Sequence, residues 1–221
     1  MARNRLFVLT AMFSLIGIVV GGAVLVLVIT SGGDSSAKED ALREMTLQPA
    51  DLPQDFVLRE ERFYTRDEFL KQLPAVAHLS ERGLRYALHR TYVTEGASPQ
   101  QVDVLVYVYE DADGATKGQE YLRNDDGLYS ILRRLDSGRQ LRDFEGTTGG
   151  DPDFGDDSWT AHIKSNPSSE SPQETSIFGM RYANVRAEIA VTIQPSVLLQ
   201  PKDLARSQLQ RIQRGSLSAR S

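Results

Sequence analysis

Between Asp151 and Trp159 the chain reads DPDFGDDSW, which sets four carboxylates, Asp151, Asp153, Asp156 and Asp157, beside its only tryptophan. Acids at this density suit three chemistries: a calcium site, a pair of hydrolytic acids, or a hydrogen-bonded turn. A calcium loop of the EF-hand kind needs oxygen ligands at positions 1, 3 and 5, glycine at 6 and glutamate at 12. Counted from Asp151, positions 5, 6 and 12 hold Gly155, Asp156 and His162; counted from Asp111 they hold Ala115, Thr116 and Leu122. Both frames fail. A hydrolase of the paired-carboxylate kind needs two acids about 5–10 Å apart across a substrate, and crowding along the chain does not create that opposition. Asp156 and Asp157 are the residues on which an envelope hydrolase, the alternative functional reading, would rest. Turn chemistry fits the stretch better. Aspartate side chains accept nearby backbone N–H groups, and Gly155 supplies a positive φ.

The other reactive side chains are sparse. His78, His89 and His162 fall on a predicted helix and two predicted strands with no i, i+4 pair, so no zinc site is expected. Ser35 to Lys38 matches the S-x-x-K pattern of serine acyl-enzymes but lies in a polar stretch without the companion motifs. No G-x-S-x-G elbow, H-E-x-x-H pair or P-loop occurs. No catalytic residue, metal ligand or cofactor site is expected. Four tyrosines are the candidate ligand-binding residues. Tyr86 and Tyr92 share one face of a predicted strand, and Tyr107 and Tyr109 share one face of the next. If those faces coincide, the rings form a platform for sugar or peptide, since tyrosine joins an apolar ring to a polar handle. Otherwise they are cross-strand core pairs.

The position of the chain in the cell is written at its start. Leu6 to Ile29 is a run of 24 residues without a charge. As a helix it is roughly 36 Å long, enough to cross a hydrocarbon core of about 30 Å. A cleaved signal peptide has a shorter apolar region, of about 7–15 residues, although Gly21–Ala23 or Thr30–Gly32 offers small residues for cleavage. Arg3 and Arg5 precede the run, and no basic residue follows it before Lys38. The positive-inside rule then predicts a single-pass signal-anchor with a cytoplasmic N-terminus and an extracytoplasmic C-terminal domain. Some five residues remain inside, too few for a folded signalling module, so any signal would pass through a partner. Gly17 and Gly21 have the small-xxx-small spacing that lets two membrane helices approach, which makes self-association through the helix an expectation.

Removing Arg3 and Arg5 leaves 23 basic residues against 30 acidic ones in the remainder. A net charge of about −7 argues against nucleic acid as a partner and against a surface that binds anionic headgroups. The chain has no cysteine, which excludes disulfides, thiolate metal sites and cysteine nucleophiles. Its core must hold the fold without staples.

The predicted organisation is a cytoplasmic tail at 1–5, a transmembrane helix at 6–30, a flexible linker at 31–44, an α+β domain at 45–215 and a disordered tail at 216–221. The linker reading follows from its small and polar residues. Within the domain, Asp55–Glu60 reads as a strand, and Thr65 with Glu68 has capping-box spacing before Phe69, Leu70, Leu73 and Val76. Pro74 should kink or split that helix. Gly83–Thr94 and Gln101–Glu110 read as a hairpin, the second strand apolar on both faces and therefore central. Asp113 is placed to cap a helix carrying Leu128, Ile131, Leu132 and Leu135. Ser158–Ser165 and Thr175–Ile193 supply three more strands, with a tight turn near Ala183 and Asn184. A last helix runs from Pro201 to Gly215. Strands in hairpins with helices between them predict an antiparallel sheet partly covered by helices.

The segment FGDDSWTAHI, its polar loop and FGMRYANVRAEIAVTI resemble a pattern of bacterial secreted and membrane-anchored extracytoplasmic domains. In these a Gly-Asp turn starts a strand and an Arg-x-(Gly/Ala)-Asn hairpin follows. Some look like the outer sensor domains of membrane kinases. The resemblance covers about residues 151–195. It implies an extracytoplasmic location and an α+β fold, and it assigns no chemistry. The anchor, the short inner tail and the lack of a catalytic constellation favour a non-enzymatic membrane-anchored module that binds an envelope ligand or protein partner, with an envelope hydrolase and an accessory subunit of a membrane complex as the alternatives.

Overall fold

The structure, a computed structural model, describes residues 35–72, 82–95, 100–123, 144–149, 154–165, 173–193, 199 and 201–218. The expected membrane span with Gly17 and Gly21, Pro74, His78, the 128–135 stripe, Asp151 and Asp153 lie outside the described residues. In chain order the elements are α1 (Ser35–Met45), a 3-10 turn (Pro49–Asp51), β1 (Phe56–Thr65), α2 (Arg66–Gln72), β2 (Leu84–Thr94), β3 (Gln101–Tyr109), α3 (Ala112–Arg123), β4 (Phe144–Gly149), β5 (Asp157–Ser165), β6 (Gln173–Tyr182), β7 (Val185–Ile193) and α4 (Pro201–Ser218).

The seven strands form one antiparallel sheet in the order β1-β2-β3-β7-β6-β5-β4. Two meanders, β1–β3 and β4–β7, meet where β3 pairs with β7. This explains why β3 is apolar on both sides: every residue from Val102 to Tyr109 is buried. Val102, Val104, Val106 and Val108 join Val185, Ala187, Ile189 and Val191 in a core closed by α1 and α4. Leu105, Tyr107 and Tyr109 point the other way, into a second core with Phe69, Ala115, Trp159 and Ile177, toward α2 and α3. Burying each large apolar side chain contributes about 1.5–3 kcal/mol, so two covered faces account for a stable fold without disulfides.

Several local expectations are met by geometry. The Thr65 hydroxyl and the Glu68 carboxylate form the capping box, with Thr65 N–H donating to Glu68 Oε2 at 2.9 Å and Glu68 N–H to Thr65 Oγ1 at 3.4 Å. The β6–β7 turn falls at Ala183 and Asn184, but the positive φ (53°) belongs to Ala183. Asn184 instead uses its side chain, donating from Nδ2 to the Tyr109 carbonyl at 2.8 Å. The cap of α3 is Asp111 rather than Asp113, accepting the Gly114 N–H at 2.7 Å. The first strand runs on to Thr65, past the Glu60 expected for it.

Two corrections concern the ends of the domain. Most of the expected flexible linker is α1, whose Leu42 and Met45 are buried against the sheet and α4. Its small residues concealed the apolar pair, spaced i, i+3 on one helix face. The last helix continues through Gly215 to Ser218. Gly215 does not end it; a Cβ there would lie 2.7 Å from Met45 Cγ, so the glycine lets α1 and α4 approach.

Polar groups fasten α1 as well. Arg43 donates to Glu61 on β1 at 2.7 Å, and Glu61 also accepts from Arg90 on β2 at 2.6 Å. Arg90 and Tyr92 donate to the Leu47 carbonyl at 2.8 and 2.5 Å. Gln208 of α4 accepts the Leu47 N–H at 2.9 Å and donates to the Met45 carbonyl at 2.6 Å. Burial pushes the Glu61 carboxyl up, but hydrogen bonds and charge from Arg43 and Arg90 outweigh it and hold its pKa below the usual glutamate value. A depressed carboxylate contributes stability above the unfolded-state pKa and loses it as pH falls through the folded-state value. Acid titration of unfolding should therefore show a destabilising limb below the ordinary glutamate range. Glu61→Gln should flatten that limb; an unchanged acid profile would show that the triad does not couple to folding.

Candidate functional site

The α2/α3 face of the sheet carries the most unusual chemistry in the described structure: a charged network inside a core. Strand β7 begins Val185-Arg186-Ala187-Glu188, and residues two apart in a strand share a face. Arg186 and Glu188 therefore both enter this core, at 0% and 1% exposure. They form an ion pair with each other. Arg186 Nε donates to Gln119 Oε1 of α3 at 2.9 Å, and Tyr107 OH donates to Glu188 Oε2 at 2.9 Å. The guanidinium also stacks 4.8 Å from the centre of the Tyr107 ring, a cation–π contact strengthened by desolvation. Gln119 donates from Nε2 to the Asp157 carbonyl at 3.3 Å, which ties α3 to the start of β5.

The electrostatics follow from burial. Desolvation opposes the Arg186 charge, yet Glu188 and the hydroxyls of Tyr109 and Tyr107 raise its pKa above the ordinary arginine value. Burial pushes the Tyr109 hydroxyl up against the opposing pull of Arg186. That hydroxyl rests on Gly118 of α3, where a Cβ would come within 2.3 Å of it.

A second polar group lies on the same face. Asp103 of β3 is buried and accepts from Thr91 Oγ1 at 2.8 Å and Gln101 Nε2 at 2.6 Å. His89 Nε2 lies 2.9 Å from Asp103 Oδ1. His162, by contrast, is exposed, with Nδ1 3.0 Å from Ser176 Oγ. Among the described residues no group of three His, Cys, Asp or Glu side chains could hold a metal ion.

The acidic stretch has the geometry of a turn where it is described. Gly155 has φ 71°, and a Cβ on it would meet the Arg181 carbonyl oxygen at 2.3 Å. Asp156 N–H donates to that carbonyl at 2.8 Å. The Asp156 carboxylate accepts the Ala183 N–H at 2.6 Å and Arg181 Nη1 at 3.1 Å. It thus braces the β6–β7 hairpin. Asp157 opens β5 opposite Arg181. The Asp156 carboxylate is thereby committed to the hairpin, which is the turn geometry rather than one half of an opposed acid pair.

The tyrosine platform is not formed. Tyr86 stands opposite Val108, and Tyr92 opposite Val102, while Tyr107 stands opposite Ala87. The two pairs consequently lie on opposite faces of the sheet. Tyr92, Tyr107 and Tyr109 are fully buried, and half-buried Tyr86 stacks on Phe63 at 5.9 Å with Lys38 over its ring. The expectation failed because strand periodicity assigns faces within a strand, whereas the facing of two strands depends on register. The bulge in the β2–β3 pairing, between Leu84 and Tyr86, lies in that register. What the sequence reading missed is the Arg186–Glu188 pair. Its signal was present: opposite charges two apart inside an otherwise apolar strand.

No protein-family model matches this chain, and no curated protein matches it. Among solved structures, the fold is similar to the extracellular domain of PknH from Mycobacterium tuberculosis. The TM-score is 0.54 at 11% sequence identity, covering 80% of this chain and 96% of that one. At that identity the likeness is one of fold: an α+β architecture that occurs as an extracellular domain.

The network generates a measurable expectation. Arg186→Met leaves Glu188 charged and buried without its partner, which should cost about 3–5 kcal/mol in urea unfolding. Combining it with Glu188→Leu removes the second charge and should recover part of that loss. A double variant less stable than both single variants would show that the ion pair itself, and not its broken half, dominates the energetics.

Proposed function

We propose that this chain is a membrane-anchored, non-enzymatic module whose α+β domain lies outside the cytoplasm and binds an envelope ligand or a protein partner. The observation that carries this reading is the fold likeness to an extracellular domain, which extends over 96% of that domain. Three further features support it. The uncharged run from Leu6 to Ile29 is long enough to span a bilayer. Arg3 and Arg5 precede it, which favours an N-terminus inside. The described carboxylates and imidazoles nearest to a catalytic constellation, Asp156, Asp103 and His89, are engaged in hydrogen bonds that brace strands and turns.

The direct test combines topology with binding. In spheroplasts of a bacterial host, protease added outside should remove a C-terminal epitope while a cytoplasmic marker survives. An epitope digested only after lysis would overturn the extracytoplasmic placement. The purified chain should then be heated with peptidoglycan fragments, glycans or lipids. A ligand at about 100 times its Kd adds about 2.7 kcal/mol of stability, which should raise the midpoint by roughly 5–10 °C. Turnover of an envelope substrate that vanishes in Asp156→Asn would replace the binding reading with the hydrolytic one.

A further inference from the structure

The way α1 lies on the sheet has a directional consequence. Along α1 and the residues after it, Lys38 Nζ sits 5.2 Å over the Tyr86 ring, Arg43 reaches Glu61, which is paired with Arg90, and the Leu47 carbonyl accepts from Tyr92. Positions 38, 43 and 47 therefore track 86, 90 and 92 of β2 in the same order. The chain enters the domain at one end of the sheet, where β2 starts, β3 ends and the Ala183–Asn184 turn lies. It then runs toward the other end, where Thr94 and Gln101 lie. The helix is held along this path by Leu42 and Met45 in the core, by the close approach at Gly215 and by Gln208.

Five residues, Thr30 to Asp34, separate the apolar run from Ser35. Even fully extended they reach roughly 18 Å. The sheet is longer than that: the eleven residues of β2 span roughly 35 Å at strand rise. So short a lead keeps the end at which the chain enters the domain within roughly 18 Å of the end of the apolar run.

We propose that α1 is a strut that fixes the stance of the domain. It turns the sheet end bearing Gly83, Asp111 and the Ala183–Asn184 turn toward the bilayer. It holds the end bearing Glu95, Gln100 and the Thr91–Asp103 group away from it, as the end offered to a ligand arriving from outside. Strain applied to the sheet by such a ligand passes to α1 through Glu61, Tyr92 and Gln208, and only the five residues 30–34 then separate that helix from the apolar run. This inference rests on the reading of residues 6–29 as a membrane anchor.

The absence of cysteine makes the test clean, because one introduced thiol carries one label. Glu95→Cys and Asp113→Cys place a donor dye at exposed positions near opposite ends of the sheet. The labelled full-length chain is reconstituted in phosphatidylcholine vesicles with an acceptor on the headgroups. Given the roughly 35 Å between the ends, transfer from position 113 should exceed transfer from position 95 at least about twofold. Adding Gln208→Leu and Gly215→Val to each labelled chain should shrink that difference, with Trp159 emission showing that the sheet remains folded. Equal transfer, or stronger transfer from 95, in a chain retained by the vesicles at alkaline pH overturns the strut and leaves the anchor standing. Release of the chain by alkaline carbonate overturns the anchor reading, and the strut with it.

Discussion

The pairing of β3 with β7 is the constraint on which the rest of the structure depends. It joins two meanders into one sheet, and it places at the centre two strands that must be covered on both sides. A strand covered on both faces needs apolar residues at every position, and β3 supplies them almost without a break. Strand β7 does not. Its face toward α1 and α4 is Val185, Ala187, Ile189 and Val191, while Arg186 and Glu188 stand on the other face opposite Tyr107 and Leu105. Each side of the sheet therefore has its own character. One is a core of valines, isoleucines and leucines with Phe56, Tyr92, Phe154 and Phe178 among them, under two helices. The other is an aromatic core built around a neutralised charge pair.

Burying that pair is not the cheapest way to stabilise a sheet, since two desolvated charges rarely recover more than an apolar pair of equal volume. Its value lies in what it selects. Arg186 has a bond for Gln119, Glu188 has one for Tyr107, and Gln119 has another for the Asp157 carbonyl. If α3 slid by one turn over this face, both Gln119 bonds would be lost, stripping Arg186 Nε and the Asp157 carbonyl of that partner, while the Arg186–Glu188 and Tyr107–Glu188 contacts stay within the sheet. Apolar contacts tolerate such a slide far better, because dispersion carries little directional preference. The clamp around α1 follows the same rule. Leu42 and Met45 supply adhesion, and Gln208, Tyr92, Arg90 and Glu61 supply register. A chain without cysteine thus fixes the relative positions of its layers by buried polar contacts.

How much of this was legible in the sequence depends on the range of the interaction. The capping box at Thr65 and Glu68, the turn at Ala183–Asn184, the Gly155 turn and the two-sided apolar pattern of β3 are local signals, and each is where the residues place it. The tyrosine platform required the relative facing of two strands, which depends on register, and register disappointed it. The linker reading failed for a related reason. Ser35–Lys38 has the composition of a tether, and the residues that make it a docked helix lie as far away as Gln208 and Gly215. The same distance hid the meaning of Gly215. In isolation a glycine after a helical pattern marks an end; here it is a place where two helices touch.

The edges of the sheet bear on what the domain can bind. Strand β1 is an edge, and its outer part shows Val57 and Leu58 to solvent at 45% and 42%. An open edge invites another strand. Here the invitation is withdrawn immediately afterwards: Arg59 interrupts the pairing register, and exposed Glu60 and Arg62 form a 3.0 Å ion pair along the edge. A bulge and charges at that place obstruct a regular eighth strand. The α1/α4 face is closed by α1 and α4, and the adjoining Asp51 carries an ion pair to Arg211 of α4. A partner helix or strand inserted under α1 would have to displace the Leu42, Met45 and Gln208 contacts, whereas at β1 the bulge and the charged pair oppose a regular added strand. If α1 holds the domain as proposed, Glu95 and Gln100 at the far ends of β2 and β3 are the described residues that a partner arriving from outside would meet first.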